Sequence, residues 1–249
     1  MFPVRQHIVS AFSAVILATS LLSGCAKAPA GAPFNDPFEQ QNRAVHAANL
    51  KLDQAVVRPS SKVYSVIPAP VQQGISNFGD NFATPGMMVN ALLQGDMEHL
   101  VEHTFRFAIN TTFGIGGLLD AADAIGLHGK DTDFGQTLHV WGVGEGPYVE
   151  LPFYGPSTVR DTTGLIVDFA LNPLGNVVPK SVNTAGTVAK IASKIGDRGR
   201  YSDTVDSILY GSADSYAQAR ILYLQNRRFE LGEVAADDTF DPYEDPYAQ

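Results

Sequence analysis

Apolar side chains recur along this chain mostly at helical intervals. Phe38, Val45, Leu52 and Val56 hold to helical spacing until Arg58-Pro59, which is expected to stop the run. Asp36 stands at a helix N-cap position, Pro37 suits the first turn, and Glu39 completes a capping-box-like pair. A short helix is predicted over residues 60–66. Val71, Ile75, Phe78 and Phe82 then stand at i, i+4, i+7 and i+11, one stripe along a helix over residues 70–84 that Pro85 should break. Residues 87–94 read as another short helix, closed by Gly95. Asp96 caps the next, over residues 97–109, with Leu100, Val101, Phe105 and Ala108 expected to face inward. A glycine-rich bend follows over residues 110–117.

The texture changes at residues 134–154. Residues 137–143 and 148–153 favour strand, and the glycines at 142, 144 and 146 with Pro147 form a turn between them. The segment reads as a two-stranded hairpin with a mobile tip, and its glycines equally permit an irregular loop. Helical pattern returns after Ser157, densest at residues 165–171, and continues over residues 182–195 and 203–231 with a break near Gly211. No internal repeat is present. From Glu230 onward every charged side chain is acidic, so residues 232–249 are expected to form a solvated, disordered tail. The fold class is therefore all-α, a bundle of short amphipathic helices with one hairpin. Beyond residue 25 no uncharged apolar run approaches the roughly twenty residues of a spanning helix. A water-soluble bundle and a compact body seated in a membrane around a polar interior both fit, and periodicity does not choose between them.

Composition narrows the address. Of the 249 residues 45% are hydrophobic and 17% charged, and the net charge of −9 argues against nucleic acid as a partner. A single cysteine, Cys25, excludes an intramolecular disulfide or thiolate cluster. Ahead of it lie Arg5, an uncharged stretch over residues 8–22 and small residues, the three-part form of an export signal. Leu22-Ser23-Gly24-Cys25 resembles the lipobox of bacterial lipoproteins, in which the cysteine is acylated and becomes the N-terminus; an ordinary signal peptide with an incidental cysteine is the other reading. The expected organisation is a signal peptide over residues 1–24, a lipidated tether over 25–34, one helical domain over 35–231 and the acidic tail. Ala26 after the cysteine, rather than Asp, favours the outer membrane by resemblance to lipoprotein sorting rules.

Catalytic signatures are nearly absent: the chain has no GxSxG, no P-loop, no complete GxGxxG and no CxxC. The exception is His99-Leu100-Val101-Glu102-His103, which matches the H-x-x-E-H pattern of inverted zincins. A zinc site there needs a third ligand, and Glu145 and Glu150 are the nearby downstream glutamates. The alternative is a polar stripe opposite a core face. Arg106 and Arg160 read as structural ion pairs or as site residues, and Trp141, Tyr148 and Tyr154 as packing aromatics or interfacial anchors.

A series of ordered segments resembles the VacJ/MlaA family of outer-membrane phospholipid-removal lipoproteins. They include Asn35-Asp36-Pro37-Phe38-Glu39, Leu93-Gln94-Gly95-Asp96, Arg106-Phe107 with Asn110-Thr111, Trp141-Gly142-Val143-Gly144 and Leu151-Pro152-Phe153-Tyr154-Gly155-Pro156-Ser157 with Arg160-Asp161. The chain departs from the family pattern at Gln40-Gln41, where Gly-Phe is common, and at His46-Ala47-Ala48, where aromatics are usual. The resemblance implies a non-enzymatic, ring-like helical body in the inner part of the outer membrane, anchored through Cys25 on the periplasmic side. It implies a polar channel for phospholipids, a trimeric porin as partner, and a soluble periplasmic lipid carrier as recipient. It calls for no cofactor or metal. It also implies that the segment carrying Phe134, Trp141, Gly142, Gly144, Gly146, Pro147, Tyr148 and Tyr154 is a mobile element that influences channel opening.

Overall fold

The computed structural model describes residues 34–170, 173–175 and 177–233; the signal peptide, Cys25, nearly all of the tether and the tail after Glu233 lie outside the described residues. Helix α1 (Glu39–Leu52) runs through a π-helical turn (Asp53–Val57) into α2 (Arg58–Tyr64). Pro59 therefore does not end the run. It falls in the opening turn of α2, and the widened turn before it displaces the carbonyls that a proline ring would otherwise meet. Helix α3 (Ala69–Gln94) likewise passes through Pro85 as one helix, where two were expected. An internal proline costs about 3 kcal/mol, and the packing of α3 against the helices that flank it offsets that loss. Gly95 closes α3 in the left-handed conformation with φ 73°, as expected.

Asp96 opens α4 (Met97–Thr112) by accepting a hydrogen bond from the His99 amide at 3.1 Å. The segment expected as the first strand of a hairpin is instead helix α5 (Phe134–Val140). Asp133 caps it, accepting from the Gln136 amide at 2.8 Å, while Phe134, Gly135 and Thr137 are buried. A side-chain cap and a buried face outweigh the strand preference of Thr137 and Val140. The hairpin lies one strand later, pairing β1 (Tyr148–Leu151) antiparallel with β2 (Gly155–Thr158), Tyr148 opposite Thr158 and Leu151 opposite Gly155. Helices α6 (Val159–Ala170), α7 (Lys180–Arg200), α8 (Ser202–Leu209) and α9 (Ser215–Glu230) complete the described chain. The expected break near Gly211 separates α8 from α9, where Asp214 caps the Ala217 amide at 3.1 Å.

Helix α3 packs between α4 and α7, and α5 packs against α6. The α5–α6 crossing depends on Gly164: a Cβ there would fall on the backbone nitrogen and Cα of Gly135. Gly164→Val is expected to push the two helices apart at a cost of about 1–3 kcal/mol, seen as a lowered thermal midpoint. An unchanged midpoint would mean that this crossing gives way without cost.

Candidate functional site: a polar interior behind an apolar surface

Helix α4 is turned opposite to expectation. Its His99, His103, Arg106 and Asn110, spaced i, i+4, i+7 and i+11, form the inward face, and His103 is 1% exposed. Asn110 donates to Asp120 Oδ1 at 2.9 Å and accepts from the Ala122 amide at 2.9 Å. Arg106 pairs with Asp120 at 2.9 Å and donates to the Leu127 carbonyl. The stripe of Met97, Val101 and Phe105 faces outward, with Phe105 57% exposed. The helical period was readable in the sequence, but periodicity fixes only that a helix has two faces. Which face turns inward depends on its surroundings.

The same inversion runs through the molecule. Among the described residues the buried set is mainly polar, including Asp36, Asn42, Asp53, Asn90, Arg160, Arg198, Arg220 and Arg227, while Phe113, Phe153, Phe169 and Phe229 lie largely exposed. An apolar surface this extensive marks contact with lipid or protein. No helix among the described residues is long and apolar enough to cross a membrane.

Conserving hydrogen bonds inside such an interior takes dense pairing. On α1, Asn42, His46 and Asn49 (i, i+4 and i+7) all face β1. Asn42 donates to the Tyr148 carbonyl at 3.1 Å and accepts from the Glu150 amide at 3.0 Å, completing the edge of the strand. His46 meets Glu150 Oε1 at 3.1 Å and Ser215 at 3.1 Å. Asn49 takes the Leu151 carbonyl and the Phe153 amide, both at 2.9 Å. Asp36 does not cap α1, whose N-cap is Phe38 without a side-chain cap. It is buried and accepts from Asn42 at 2.9 Å, from Arg220 at 2.5 Å and from the Tyr216 hydroxyl. Apart from the Asn42–Asp36 bond, these contacts span more than a hundred residues of sequence, so helical spacing held no sign of them.

The zincin-like motif is accounted for otherwise. His99 Nδ1 pairs with Asp96 at 2.6 Å, Glu145 with Arg228 at 3.0 Å, and Glu150 with His46 and the Tyr148 hydroxyl at 2.5 Å. Both candidate third ligands are thus engaged elsewhere, and no group of metal-ligating side chains occurs among the described residues. Burial, then the neighbouring His99, pushes the His103 pKa down. Of the two arginines singled out, Arg106 has the ion pair above and Arg160 lies 3.3 Å from Asp161.

A cleft of about 190 Å³ opens between the hairpin, α6 and α9, lined by Tyr154, Asp161, Asp168, Tyr223, Arg227 and Glu230 beside Asp133. Arg227 reaches Asp133 at 2.7 Å, Glu230 at 3.1 Å and Asp161 at 3.2 Å. Burial opposes ionisation of Asp161, but Arg227 and hydrogen bonds from Tyr223 and Thr158 hold its pKa below the ordinary value. Asp168 is shifted the other way, by burial and by the charge of Asp133. Asp80 on α3 is also raised, by its protein surroundings and by Asp131, although it stays in contact with water.

These opposed shifts fix a pH dependence. Asp80 and Asp168, with raised folded pKa values, cost stability at neutral pH, and that cost is relieved as the pH falls towards their unfolded value near 4. Asp53, whose burial is outweighed by Arg198 and Tyr210, and Asp161 have lowered values. Their stabilisation is complete above the unfolded value near 4 and is lost as the pH falls below it. The thermal midpoint is therefore expected to rise on mild acidification and to fall steeply below about pH 4. Asp168→Asn should flatten the rise; a midpoint that falls steadily from neutral pH would contradict this assignment.

The eight residues expected to form one hairpin are divided among three places. Phe134 and Trp141 belong to α5 and its end, packed edge to face with ring centroids 5.6 Å apart, and the Trp141 Nε1 donates to the Leu93 carbonyl at 3.0 Å. Gly142, Gly144 and Gly146 occupy the connection to β1, and Gly142 and Gly146 have φ of 85° and 72°. Pro147 and Tyr148 are buried at the start of β1, whereas Tyr154 is exposed at the cleft. Tyr148 is thus a packing aromatic, and Trp141 and Tyr154 stand at the surface.

Comparison with known proteins follows the same outline. The family model of the MlaA lipoprotein matches residues 34–230. The intermembrane phospholipid transport system lipoprotein MlaA of Shigella flexneri is 38% identical over 95% of this chain and 93% of its own length. Its counterpart from Escherichia coli K12 is 37% identical over the same shares. A chain solved in work on the structural basis for maintenance of bacterial outer membrane lipid asymmetry superposes with a TM-score of 0.66 at 35% identity. That superposition covers 79% of this chain and 98% of that one.

Proposed function

The chain belongs to the MlaA lipoprotein family, and we propose that it is a non-enzymatic component of intermembrane phospholipid transport that maintains outer-membrane lipid asymmetry. It removes misplaced phospholipids from the outer leaflet. The headgroup passes along the polar interior beside the α6–α9 cleft, while the acyl chains stay against apolar surface. A soluble periplasmic carrier receives the lipid, a trimeric porin supports the body in the membrane, and acylated Cys25 holds it there from the periplasmic side. The glycine-bearing connection between α5 and β1, rather than a hairpin, is the segment that adjusts the opening.

The reversal of α4 carries this reading. A polar stripe faces the interior and an apolar stripe faces out, as a helix between a wet passage and lipid requires. The energetics call for such a device. Two acyl chains of about sixteen carbons, at about 0.8 kcal/mol per CH₂, make unaided escape into water cost on the order of 25 kcal/mol. A headgroup in hydrocarbon loses its hydrogen-bond partners as well. A polar passage removes the second cost and a lipid-facing wall the first, with no bond made or broken.

Deleting the gene is expected to raise phospholipid exposed at the cell surface, measured by a headgroup-reactive reagent that does not enter cells, and the purified lipoprotein is expected to carry phospholipid. Unchanged surface phospholipid together with a lipid-free protein would defeat the reading.

A further inference from the structure

Where α1, β1 and α9 meet, three side chains form a relay that lipid transport does not use. Ser215 Oγ lies 3.1 Å from His46 Nε2, and His46 Nδ1 lies 3.1 Å from Glu150 Oε1. Both separations are within reach of proton transfer. A carboxylate only accepts, so Glu150 holds the ring proton on Nδ1 and leaves the Nε2 lone pair to the Ser215 hydroxyl. The Tyr148 hydroxyl, donating to Glu150 Oε2, fixes the carboxylate in turn. Exposure falls along the relay. Ser215 is partly exposed, whereas the side chains of His46 and Glu150 are 7% and 1% exposed. A nucleophile at the surface, a base beneath it and a buried carboxylate that orients the base are the parts of a hydrolytic triad.

Ser215 also opens α9, where its amide has no intrahelical partner and the helix presents its positive end. Negative charge developing on an oxygen beside Oγ is stabilised there. One turn along α1 from His46, Asn49 binds the Phe153 amide, and Phe153 is 85% exposed, so apolar surface for an acyl chain lies close by. We infer that Ser215, His46 and Glu150 form an esterase site for carboxylic esters, the linkage that joins acyl chains to glycerol. Ser215 Oγ attacks the ester carbonyl carbon while its proton passes to His46 Nε2. The bond from that carbon to the alcohol oxygen then breaks, and the alcohol leaves with the proton. Water attacks the acyl-serine and gives a proton to His46, which returns it to Ser215 as the carboxylic acid departs. Glu150 is a positioning residue. His46 stands where the chain departs from the family pattern, so this activity is particular to the chain and goes beyond a transport that itself breaks no bond.

The test treats the detergent-purified full-length protein with a fluorophosphonate reagent, identifies the labelled serine by mass spectrometry, and follows hydrolysis of p-nitrophenyl butyrate in parallel. Labelling is expected on Ser215. Ser215→Ala, a change at a partly exposed position, should abolish both signals without moving the thermal midpoint. His46→Gln should slow labelling about 10²–10⁴-fold. Glu150→Gln, whose amide can donate to Nδ1 and so put the proton on Nε2, should slow it more than Glu150→Asp, which keeps the acceptor. A folded wild type left unlabelled at Ser215, ester hydrolysis that survives Ser215→Ala, or labelling undiminished by His46→Gln would overturn the site. If the His46 variant unfolds, wild type against Ser215→Ala decides alone. Neither assay needs a membrane, so failure here leaves the transport reading standing, and unchanged surface phospholipid on gene deletion leaves this site standing.

Discussion

Asp36→Ala is expected to cost about 3–5 kcal/mol, the range for removing one partner of a buried ion pair. Asp36 and Arg220 are both nearly buried, 2.5 Å apart, and Asp36 also accepts from Asn42 and Tyr216. With Asp36 gone, the nearest other carboxylate to Arg220 is Glu39 at 4.0 Å. The Phe34 and Tyr216 rings, 4.8 and 5.2 Å from the guanidinium, remain but return only part of the loss. Against the 5–15 kcal/mol typical of a folded domain, this is a large fraction of the total. Urea unfolding in detergent solution, compared with wild type at constant m-value, measures it. The size of the effect discriminates between two roles for the residue. A helix cap of the kind the sequence suggested would cost about 1 kcal/mol. The double variant Asp36→Ala with Arg220→Met should regain much of the loss, because the buried charge goes with its partner.

Asp36 shows where the sequence was legible and where it was not. Element types followed from local rules. Asp96 and Gly95 mark the α3–α4 junction, and the break at Gly211 parts α8 from α9, because caps and left-handed turns act over a few residues. Strand and helix were confused at residues 137–143, where the deciding contacts come from elsewhere: Thr137 donates to Asn90 at 2.9 Å, 47 residues away. The cleft was invisible for the same reason. Asp161 and Asp168 lie two turns apart on α6, but Arg227 joins them from another helix. His46 was flagged as a departure from the family pattern. The structure gives it work as the link between α1, β1 and α9. Cys25 and the export signal were read from a purely local motif and lie outside the described residues.

The choice that periodicity left open, a soluble bundle or a body in lipid, comes down to α4. Replacing Met97, Val101 and Phe105 together by serine, in a chain whose residues 1–25 are exchanged for an export signal that is cleaved without acylation, is expected to release the protein from membranes. The acyl anchor is absent from this background, so retention rests on side-chain burial in lipid alone. Each of the three is about half exposed, at 58, 49 and 57%. Burying the exposed half of each gains about 1 kcal/mol, roughly 3 kcal/mol together, a change of about a hundredfold in partitioning. The unacylated parent should stay with the membrane through a salt wash and leave only with detergent, while the triple variant should appear in the wash. Stability in detergent solution provides the control. Substitutions on a surface stripe shift it by no more than about 0.5 kcal/mol each, whereas the same changes in a water-excluded core would cost about 2–5 kcal/mol apiece. A triple variant that unfolds would make this stripe a core and return the polar stripe of His99, His103, Arg106 and Asn110 to the outside, and the passage through the interior would go with it.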